Sequence, residues 1–354
     1  MQENSQLETL LQKAEKEHNT GKTSQALRTI DRLIKNTDKE KSEQNARFLS
    51  RVYLLKGKIF LDKNQWTESI KIYQKALDFA NMENDALSKF EALNGIARSL
   101  WRLGKFKAAT ELLTESTLLL SELQNELQNS NLLGTVNINL GNVYLSMGDY
   151  NRAIRQYNIG ITHLESQESQ EAQDSHFELA RAYNNLGEAY KLSDNISEGI
   201  KFYEKALEFA ELSSNERIRG YAMENLAECY LKIGLPEKAL DFAKKALKYF
   251  QSINDKMMVA TTFMAFGMIY ATLKNNRLSR EYFSRSITLL KKCNARLELA
   301  DVYITYARTL RTMNRHTKAM QNYRKALQIL KKINAVQRFQ LIQKEFSEIY
   351  KFKS

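Results

Sequence analysis

The residues LGNVYLSMGDY, at positions 140–150, contain the pattern on which the whole chain is built. A small residue, Gly141, is followed three positions later by an aromatic residue, Tyr144, and then by a Gly-Asp pair that is typical of a turn. A related stretch, NLGEAY, occupies positions 185–190. Two antiparallel helices approach closely only where their side chains are small. We therefore expect Gly141 to mark a helix crossing, with Tyr144 filling the space beside it.

The same pattern recurs along the chain. The small residues that serve as anchors are Ala14, Gly57, Ala97, Gly141, Gly187, Ala227, Gly267 and Ala307. A second small residue follows each anchor after twelve positions, at Ala26, Ser69, Ala109, Ala153, Gly199, Ala239, Ser279 and Ala319. Successive anchors lie 40 to 46 residues apart. A repeat of this length predicts stacked helical hairpins, each too small to bury its apolar face alone. The repeats start near residues 7, 50, 90, 134, 180, 220, 260 and 300.

Composition agrees with a chain that is helical almost throughout. The 354 residues include one proline and thirteen glycines, and good helix formers are abundant. Pro236 falls at the expected first turn of a second helix, where its missing N–H costs little. No linker rich in Gly, Pro or Ser interrupts the chain, so residues 1–354 are expected to form a single domain. Apolar residues within 336–350 predict a final helix that caps the last repeat.

On these residues the chain resembles the tetratricopeptide repeat family. The resemblance implies an all-α, right-handed superhelical solenoid of about eight helical hairpins plus a C-terminal capping helix. Its repeats are longer than the usual period of about 34 residues. In this they are similar to the repeats of Pins-type polarity adaptors, kinesin light chains and bacterial peptide-sensing regulators. The extra residues are expected to lengthen the helices, and the polar inserts at 121–131 and 166–175 are expected to be surface turns.

The resemblance also implies a concave groove formed by the first helix of each hairpin. Carried over position by position, the candidate groove residues are Arg98, Trp101, Arg102, Asn139, Asn142, Arg181, Asn184, Asn185, Glu188, Lys191, Asn225, Glu228, Lys232, Met264, Met268, Arg308 and Arg311. A side-chain amide both donates and accepts hydrogen bonds, so the asparagines could grip an extended peptide backbone. The alternative is that these amides bond to a neighbouring helix within the stack.

The charges and methionines of this set each allow two interpretations. Arginine binds carboxylates through two parallel hydrogen bonds, which favours an acidic, partly extended ligand. Alternatively, the basic side chains pair with acids on adjacent repeats or are solvated. Met264 and Met268 could adapt to an apolar group of a ligand, or could fill gaps against the eighth repeat or the cap.

Other features of the sequence argue against several functional classes. The net charge is +12, with lysine pairs at 244–245, 291–292 and 331–332, but the aromatic residues are accounted for by the core, so nucleic-acid binding is not favoured. The four histidines lie in different repeats without ligand spacing, so we expect no metal site. No phosphate-binding loop or catalytic motif is present, and we expect no cofactor and no enzymatic activity.

These observations predict a non-enzymatic adaptor or scaffold that binds a protein or peptide segment in its groove. The alternatives are a peptide-sensing regulator and a structural subunit of a larger assembly. Two cysteines do not make a disulfide framework and the first eleven residues are polar, which favours a cytoplasmic location. The uncharged stretch 257–273 is at the lower limit for a membrane span and matches the repeat, so we interpret it as a buried helix.

Overall fold

A computed structural model of the chain describes residues 2–37, 45–122, 130–166, 172–333 and 335–350. Within these ranges the chain forms 17 helices and no strand, which confirms the all-α prediction. The chain divides into two compact units, residues 1–170 (unit 1) and residues 171–354 (unit 2). A single domain over residues 1–354 stays a prediction.

Unit 1 is a succession of helical hairpins in which each helix packs against the next along the chain. Its helices are α1 (Gln2–Asn19), α2 (Thr23–Thr37), α3 (Ala46–Asp62), α4 (Trp66–Met82), α5 (Ala86–Arg102), α6 (Phe106–Glu122), α7 (Ser130–Ser146) and α8 (Tyr150–Glu165). The odd-numbered helices are the first helices of the repeats and also contact one another, as α3 does with α5.

Unit 2 continues the same alternation and ends with an additional helix. Its helices are α9 (Ala172–Leu192), α10 (Ile196–Leu212), α11 (Glu216–Lys232), α12 (Pro236–Ser252), α13 (Lys256–Thr272), α14 (Asn276–Lys292), α15 (Arg296–Thr312), α16 (His316–Lys332) and α17 (Val336–Tyr350). Pro236 is the first residue of α12, as its missing N–H predicts.

The repeat length follows from helix length and turn geometry. Each helix from α10 to α16 has 17 residues, and three-residue turns separate them. The middle residue of most turns has a positive φ, which Gly, Asn and Asp tolerate best. These residues are Gly21, Asn64, Asn84, Gly104, Gly148, Asp194, Ser214, Gly234, Asn254, Lys274, Asn294 and Asn314. The long period therefore comes from long helices.

The predicted polar inserts are only partly turns. Residues 121–122 belong to α6, residues 130–131 to α7 and residues 172–175 to α9, so the expectation of a surface turn is wrong at these positions. Residues 130–131 begin α7, which has 17 residues, and residues 172–175 begin α9, which is longer, with 21 residues. Residues 123–129 and 167–171, which make up most of the two inserts, lie outside the described residues.

The small residues lie at the helix crossings, as predicted. The Oγ of Ser69 donates a hydrogen bond to the carbonyl oxygen of Gly57, at 3.0 Å, so the paired helices are in backbone contact there. Ser279 and Gly267 repeat this bond at 2.8 Å. A Cβ added at Gly141 would lie 2.5 Å from the ring of Tyr157, closer than any side chain tolerates. Aromatic rings of the second helices fill the space beside the crossings at Gly57, Gly141, Gly187 and Gly267.

Helix α17 closes the apolar surface of the last repeat. Ile342 is 4% exposed, and Phe339, Phe346 and Ile349 pack against the buried cluster of α15 and α16. Val336, which the pattern also assigned to the apolar side, is 53% exposed because it is the first residue of the helix. No helix in the described ranges is long and apolar enough to cross a membrane, and the uncharged stretch 257–273 lies largely within α13.

Candidate functional site

A large concavity lies in unit 1, on its first helices. A cleft of about 1690 Å³ runs between α1, α3 and α5, with Tyr73 of α4 at its floor. Leu7, Phe48 and Leu54 supply apolar walls. The absence of a side chain at Gly95 lets the ring of Tyr73 pack against the backbone of α5, since a Cβ there would lie 2.4 Å from that ring. A cleft of this size is large enough to hold several residues of a peptide.

Acidic and basic side chains both line this cleft. Arg51 pairs with Glu8 across α3 and α1, with Nη1 2.6 Å from Oε1. Arg47 lies 3.8 Å from the carboxylate of Asp85. In the described part of the chain, no carboxylate lies within ion-pairing distance of Arg98. The cleft therefore keeps at least one guanidinium group that a ligand can neutralise.

A second guanidinium group lies one helical turn beyond Arg98 on α5. Arg102 stacks on Trp101, with its Cζ 4.5 Å from the ring centroid. Burial and the positive charge of Arg98 lower the pKa of Arg102. Among the described residues, Arg102 also has no carboxylate partner. Trp101 donates from Nε1 to the hydroxyl of Ser146, at 2.7 Å, and so links α5 to α7.

The predicted asparagines of unit 1 are engaged with neighbouring side chains. Asn139 is 5% exposed and donates to the Oδ1 of Asn94 on the preceding first helix, at 2.9 Å. Asn142 is 8% exposed and accepts a hydrogen bond from the hydroxyl of Tyr157, at 2.8 Å. Both amides therefore serve contacts within the stack and offer little surface to a ligand.

The same contact between successive first helices recurs in unit 2. Asn225 donates to the Oδ1 of Asn184, at 3.1 Å. In both units the donor lies two positions before its anchor, and the acceptor lies three positions before the anchor of the preceding repeat. Asn184 in turn lies 3.4 Å from the Oδ1 of Asn185. These three amides form one half-buried polar cluster on α9 and α11.

A buried lysine connects α9 to α11 next to this cluster. The side chain of Lys191 is 5% exposed, and its Nζ lies 2.8 Å from Glu188 and 2.7 Å from Glu228. Burial alone would lower the pKa of Lys191, but the two carboxylates raise it above its usual value. The hydroxyl of Tyr203 donates to Glu188, at 2.7 Å. Lys232, at 3.4 Å from Glu228, completes the network.

Glu224 lies one turn before Glu228 on α11. Burial raises the pKa of Glu224 to about 7, and the negative charge of Glu228 adds to this, while hydrogen bonding with Thr261 opposes it. Glu224 lies three positions before its anchor, where Asn94 and Asn184 occur in other repeats. That shared position is the sequence signal by which Glu224 belongs to this polar surface, and our sequence analysis missed it.

Two of the three predicted arginines of unit 2, Arg181 and Arg308, form ion pairs. Arg181 lies 2.5 Å from Glu178, one turn earlier on the same helix. Arg308 forms two hydrogen bonds with Glu345 of α17, of 2.9 and 2.6 Å. Hydrogen bonding from Arg308, opposed by burial, holds the pKa of Glu345 below its usual value, and the neighbouring Arg311 contributes to the same effect. Arg308 and Arg311 therefore help to hold the terminal helix.

The two methionines lie partly buried against the last repeat. Met264 and Met268 both pack against the cluster formed by α15 and α16. Of the two interpretations of these residues, the geometry agrees with gap filling.

The histidines and other metal-ligating residues do not gather. His18 lies against Asp62, with Nε2 3.0 Å from the carboxylate. Across the described ranges, no group of three or more His, Cys, Asp or Glu side chains is placed to hold a metal ion.

The predicted residues thus fall into three groups. Arg98 lines the cleft of unit 1, and Trp101 and Arg102 lie one turn beyond it on α5. A second group lies together in unit 2 and consists of Asn184, Asn185, Glu188, Lys191, Asn225, Glu228 and Lys232. The third group contacts its own repeat, a neighbouring repeat or the terminal helix, and consists of Asn139, Asn142, Arg181, Met264, Met268, Arg308 and Arg311.

Solved structures with a similar fold include the following three proteins. Aspartyl phosphate phosphatase F from Bacillus subtilis aligns with 84% of this chain and 74% of its own, at 16% identity and a TM-score of 0.67. The apo form of the quorum sensor NprR from B. thuringiensis aligns with 91% of this chain and 86% of its own, at 16% identity and a TM-score of 0.71. A Rap protein complexed with competence and sporulation factor aligns with 94% of this chain and 99% of its own, at 13% identity and a TM-score of 0.63. At these identities the likeness concerns the fold.

Sequence comparison gives the family. No curated protein sequence matches the chain. Tetratricopeptide repeat models match residues 178–252 and 258–332, and residues 50–81 and 135–162. These ranges cover more than half of the 354 residues and coincide with the helical hairpins described above. The chain therefore belongs to the tetratricopeptide repeat family.

Proposed function

We propose that this chain works by binding a peptide segment of another protein in the cleft of unit 1, without catalysing a reaction. The observation that carries the proposal is a peptide-sized cleft in which Arg98 has no carboxylate partner among the described residues, with Arg102 one turn beyond it. An acidic side chain or a C-terminal carboxylate of the ligand would bind these two guanidinium groups. Leu7, Phe48 and Leu54 would contact its apolar part.

The charge distribution favours the cleft of unit 1 over the polar surface of unit 2. On α9 and α11, Lys191 and Lys232 already contact Glu188 and Glu228, so an acidic ligand would have to displace an existing ion pair. On α5, an incoming carboxylate would meet unpaired guanidinium groups and would gain the full charge-assisted hydrogen bonds. The acidic-ligand interpretation is therefore proposed for Arg98 and Arg102 only.

The proposed role is that of an adaptor, and the proposed location is the cytoplasm. Cys229 is buried and Cys293 is exposed, and both are free thiols, which fits a reducing compartment. The alternative role, a regulator that responds to the peptide, differs in one measurable respect. A regulator would compact when the peptide binds, and small-angle scattering with and without the selected peptide would separate the two roles.

The test compares peptide selection by the wild type and by a charge-reversed variant. An immobilised library of short random peptides is probed with the wild type and with the double variant Arg98→Glu, Arg102→Glu. Lys107→Glu is a single charge-reversal control, because Lys107 lies on α6 outside the cleft and its side chain is 93% exposed. Thermal unfolding confirms that each variant is folded.

We expect the wild type to select peptides that contain acidic residues. The double variant should bind those peptides at least about tenfold more weakly, since charge reversal at a partly desolvated contact costs well over 1 kcal/mol. The Lys107→Glu variant should bind them like the wild type. Selection without acidic preference, or equal binding by the double variant, would contradict the proposal.

A further inference from the structure

A second cavity lies in unit 2, where α14 and α16 end and α15 begins. Its volume is about 380 Å³. Leu290, Leu299 and Ile329 form an apolar floor, and Ala295 contributes the turn between α14 and α15. The cavity belongs to the ends of the helices and shares no residue with the cleft of unit 1.

The rim of this cavity is positively charged. Lys291, Arg296 and Lys332 line it together with Asn294, and none of the lining residues is acidic. Within the part of the chain that the structure describes, none of the three cations lies within ion-pairing distance of a carboxylate. Arg296 donates from Nε to the Oδ1 of Asn294, at 3.2 Å, which keeps its guanidinium group beside the turn.

Helix stability explains part of this charge but not all of it. Lys291 and Lys332 are in the last turns of α14 and α16, where a positive charge complements the helix dipole. Arg296 is the first residue of α15, where the same dipole disfavours a positive charge. An arginine at this position therefore costs stability in the free protein, and a negatively charged partner would offset that cost.

We propose that this cavity binds an acidic segment of a protein partner through one large apolar side chain flanked by carboxylates. The volume lies near the lower end of the range for ligand pockets, about 300–1,000 Å³, and suits a single side chain such as phenylalanine or leucine. The apolar floor would contact this side chain. The three cations would bind the flanking carboxylates, so the charges of the rim and of the ligand are complementary.

A nucleic acid is the other polyanion that a basic surface attracts. Binding of single strands relies on aromatic side chains on which bases stack. None of the lining residues is aromatic, and the floor consists of aliphatic side chains. The geometry therefore favours an acidic peptide over a nucleic acid, and the experiment includes both.

The chain offers a matched control for the rim. Lys291 and Lys332 line the cavity, while their neighbours Lys292 and Lys331 do not, although each lies on the same last helical turn. The rim variant carries Lys291→Glu together with Lys332→Glu, and the control variant carries Lys292→Glu together with Lys331→Glu. The two variants have the same net charge. A difference between them reports on the cavity, and equal losses report on overall charge.

The experiment measures binding of three fluorescent probes to the full chain and to both double variants. The first probe is a short peptide with one phenylalanine between pairs of aspartates, and the second has serine in place of the phenylalanine. The third is a single-stranded oligothymidine of similar charge. Thermal unfolding shows whether each variant is folded. If a variant does not fold, the comparison of the two peptides on the wild type still tests the proposal.

We expect the wild type to bind the phenylalanine peptide at least about tenfold more tightly than the serine peptide, because the cavity removes the ring from water. The rim variant should lose about tenfold or more in affinity, and the control variant less than about threefold, since an exposed charge distant from the ligand contributes little. Equal binding of the two peptides, equal losses in the two variants, or tighter binding of the oligothymidine would overturn the proposal.

Discussion

The hydroxyl of Tyr203 offers a quantitative test of how polar and apolar repeats differ. Tyr203 is fully buried on α10 and donates to the carboxylate of Glu188, at 2.7 Å. In the seventh repeat Phe283 takes the place of Tyr203 and Met268 takes the place of Glu188, so both residues of the pair are apolar there. Tyr203→Phe removes one hydrogen bond to a charged acceptor. Such bonds are worth about 1.5–3 kcal/mol, and because the side chain of Glu188 is 29% exposed, we expect the lower end.

The prediction is a double-mutant cycle on unit 2. Tyr203→Phe should lower the free energy of unfolding by about 1.5 kcal/mol in the wild type, but by less than about 0.5 kcal/mol in a Glu188→Met background, where no acceptor remains. Urea titrations followed by circular dichroism give all four free energies. A cost for Tyr203→Phe that is the same in both backgrounds would refute the assignment, because the loss would then come from packing and not from the hydrogen bond.

Two further predictions concern a carboxyl group and the terminal helix. The pKa of Glu224 in the folded chain, about 7, lies above its usual value of 4.5, so its contribution to stability is full below about pH 4.5 and is lost as the pH rises through 7. Glu224→Gln should therefore match the wild type in Tm near pH 4 and exceed it at pH 8, and a difference that does not change with pH would contradict this. Arg308→Ala removes the paired hydrogen bonds to Glu345 and should speed amide hydrogen exchange in 336–350 about fivefold, which corresponds to about 1 kcal/mol. Arg338→Ala, which removes only a single contact with Asp301, at 3.1 Å, is the control, and an equal effect of the two variants would count against a clamp at Arg308.

The hairpins were predictable because their determinants are local. Gly57 and Ser69 lie twelve positions apart and contact each other, so their small size can be recognised in the sequence. Turn residues such as Gly148 and Asp149 set the backbone and cap the next helix within a few positions. The pair of small residues twelve positions apart recurs in every repeat, so it can be recognised from the sequence.

Contacts between repeats were harder to predict. The bond between Asn139 and Asn94 depends on how one repeat is rotated against the next, and a single amide position does not specify this. The pairing of Asn225 with Asn184 joins positions at different distances from their anchors, so no single position of the repeat indicates it. Glu345 lies in a helix outside the repeat pattern, so nothing in the period indicated that it would bind Arg308.

The candidate site shows the same division. Arg98, Trp101 and Arg102 were assigned from their positions beside an anchor, and they lie together at the cleft or one turn beyond it. Which cations remain unpaired was not predictable, since each charge depends on side chains from other repeats. Lys191 is an example, because its partner Glu228 lies 37 positions further along the chain.

The uniform length of helices α10 to α16 makes the repeats of unit 2 interchangeable as blocks. Because two 17-residue helices and two three-residue turns complete one period, removing or duplicating a whole block leaves every later side chain on its original side. A single residue inserted within a helix would instead rotate all that follows by about 100°. A lineage can therefore lengthen or shorten such a chain by whole blocks while preserving the contacts at each junction, whereas smaller changes are tolerated only within the turns.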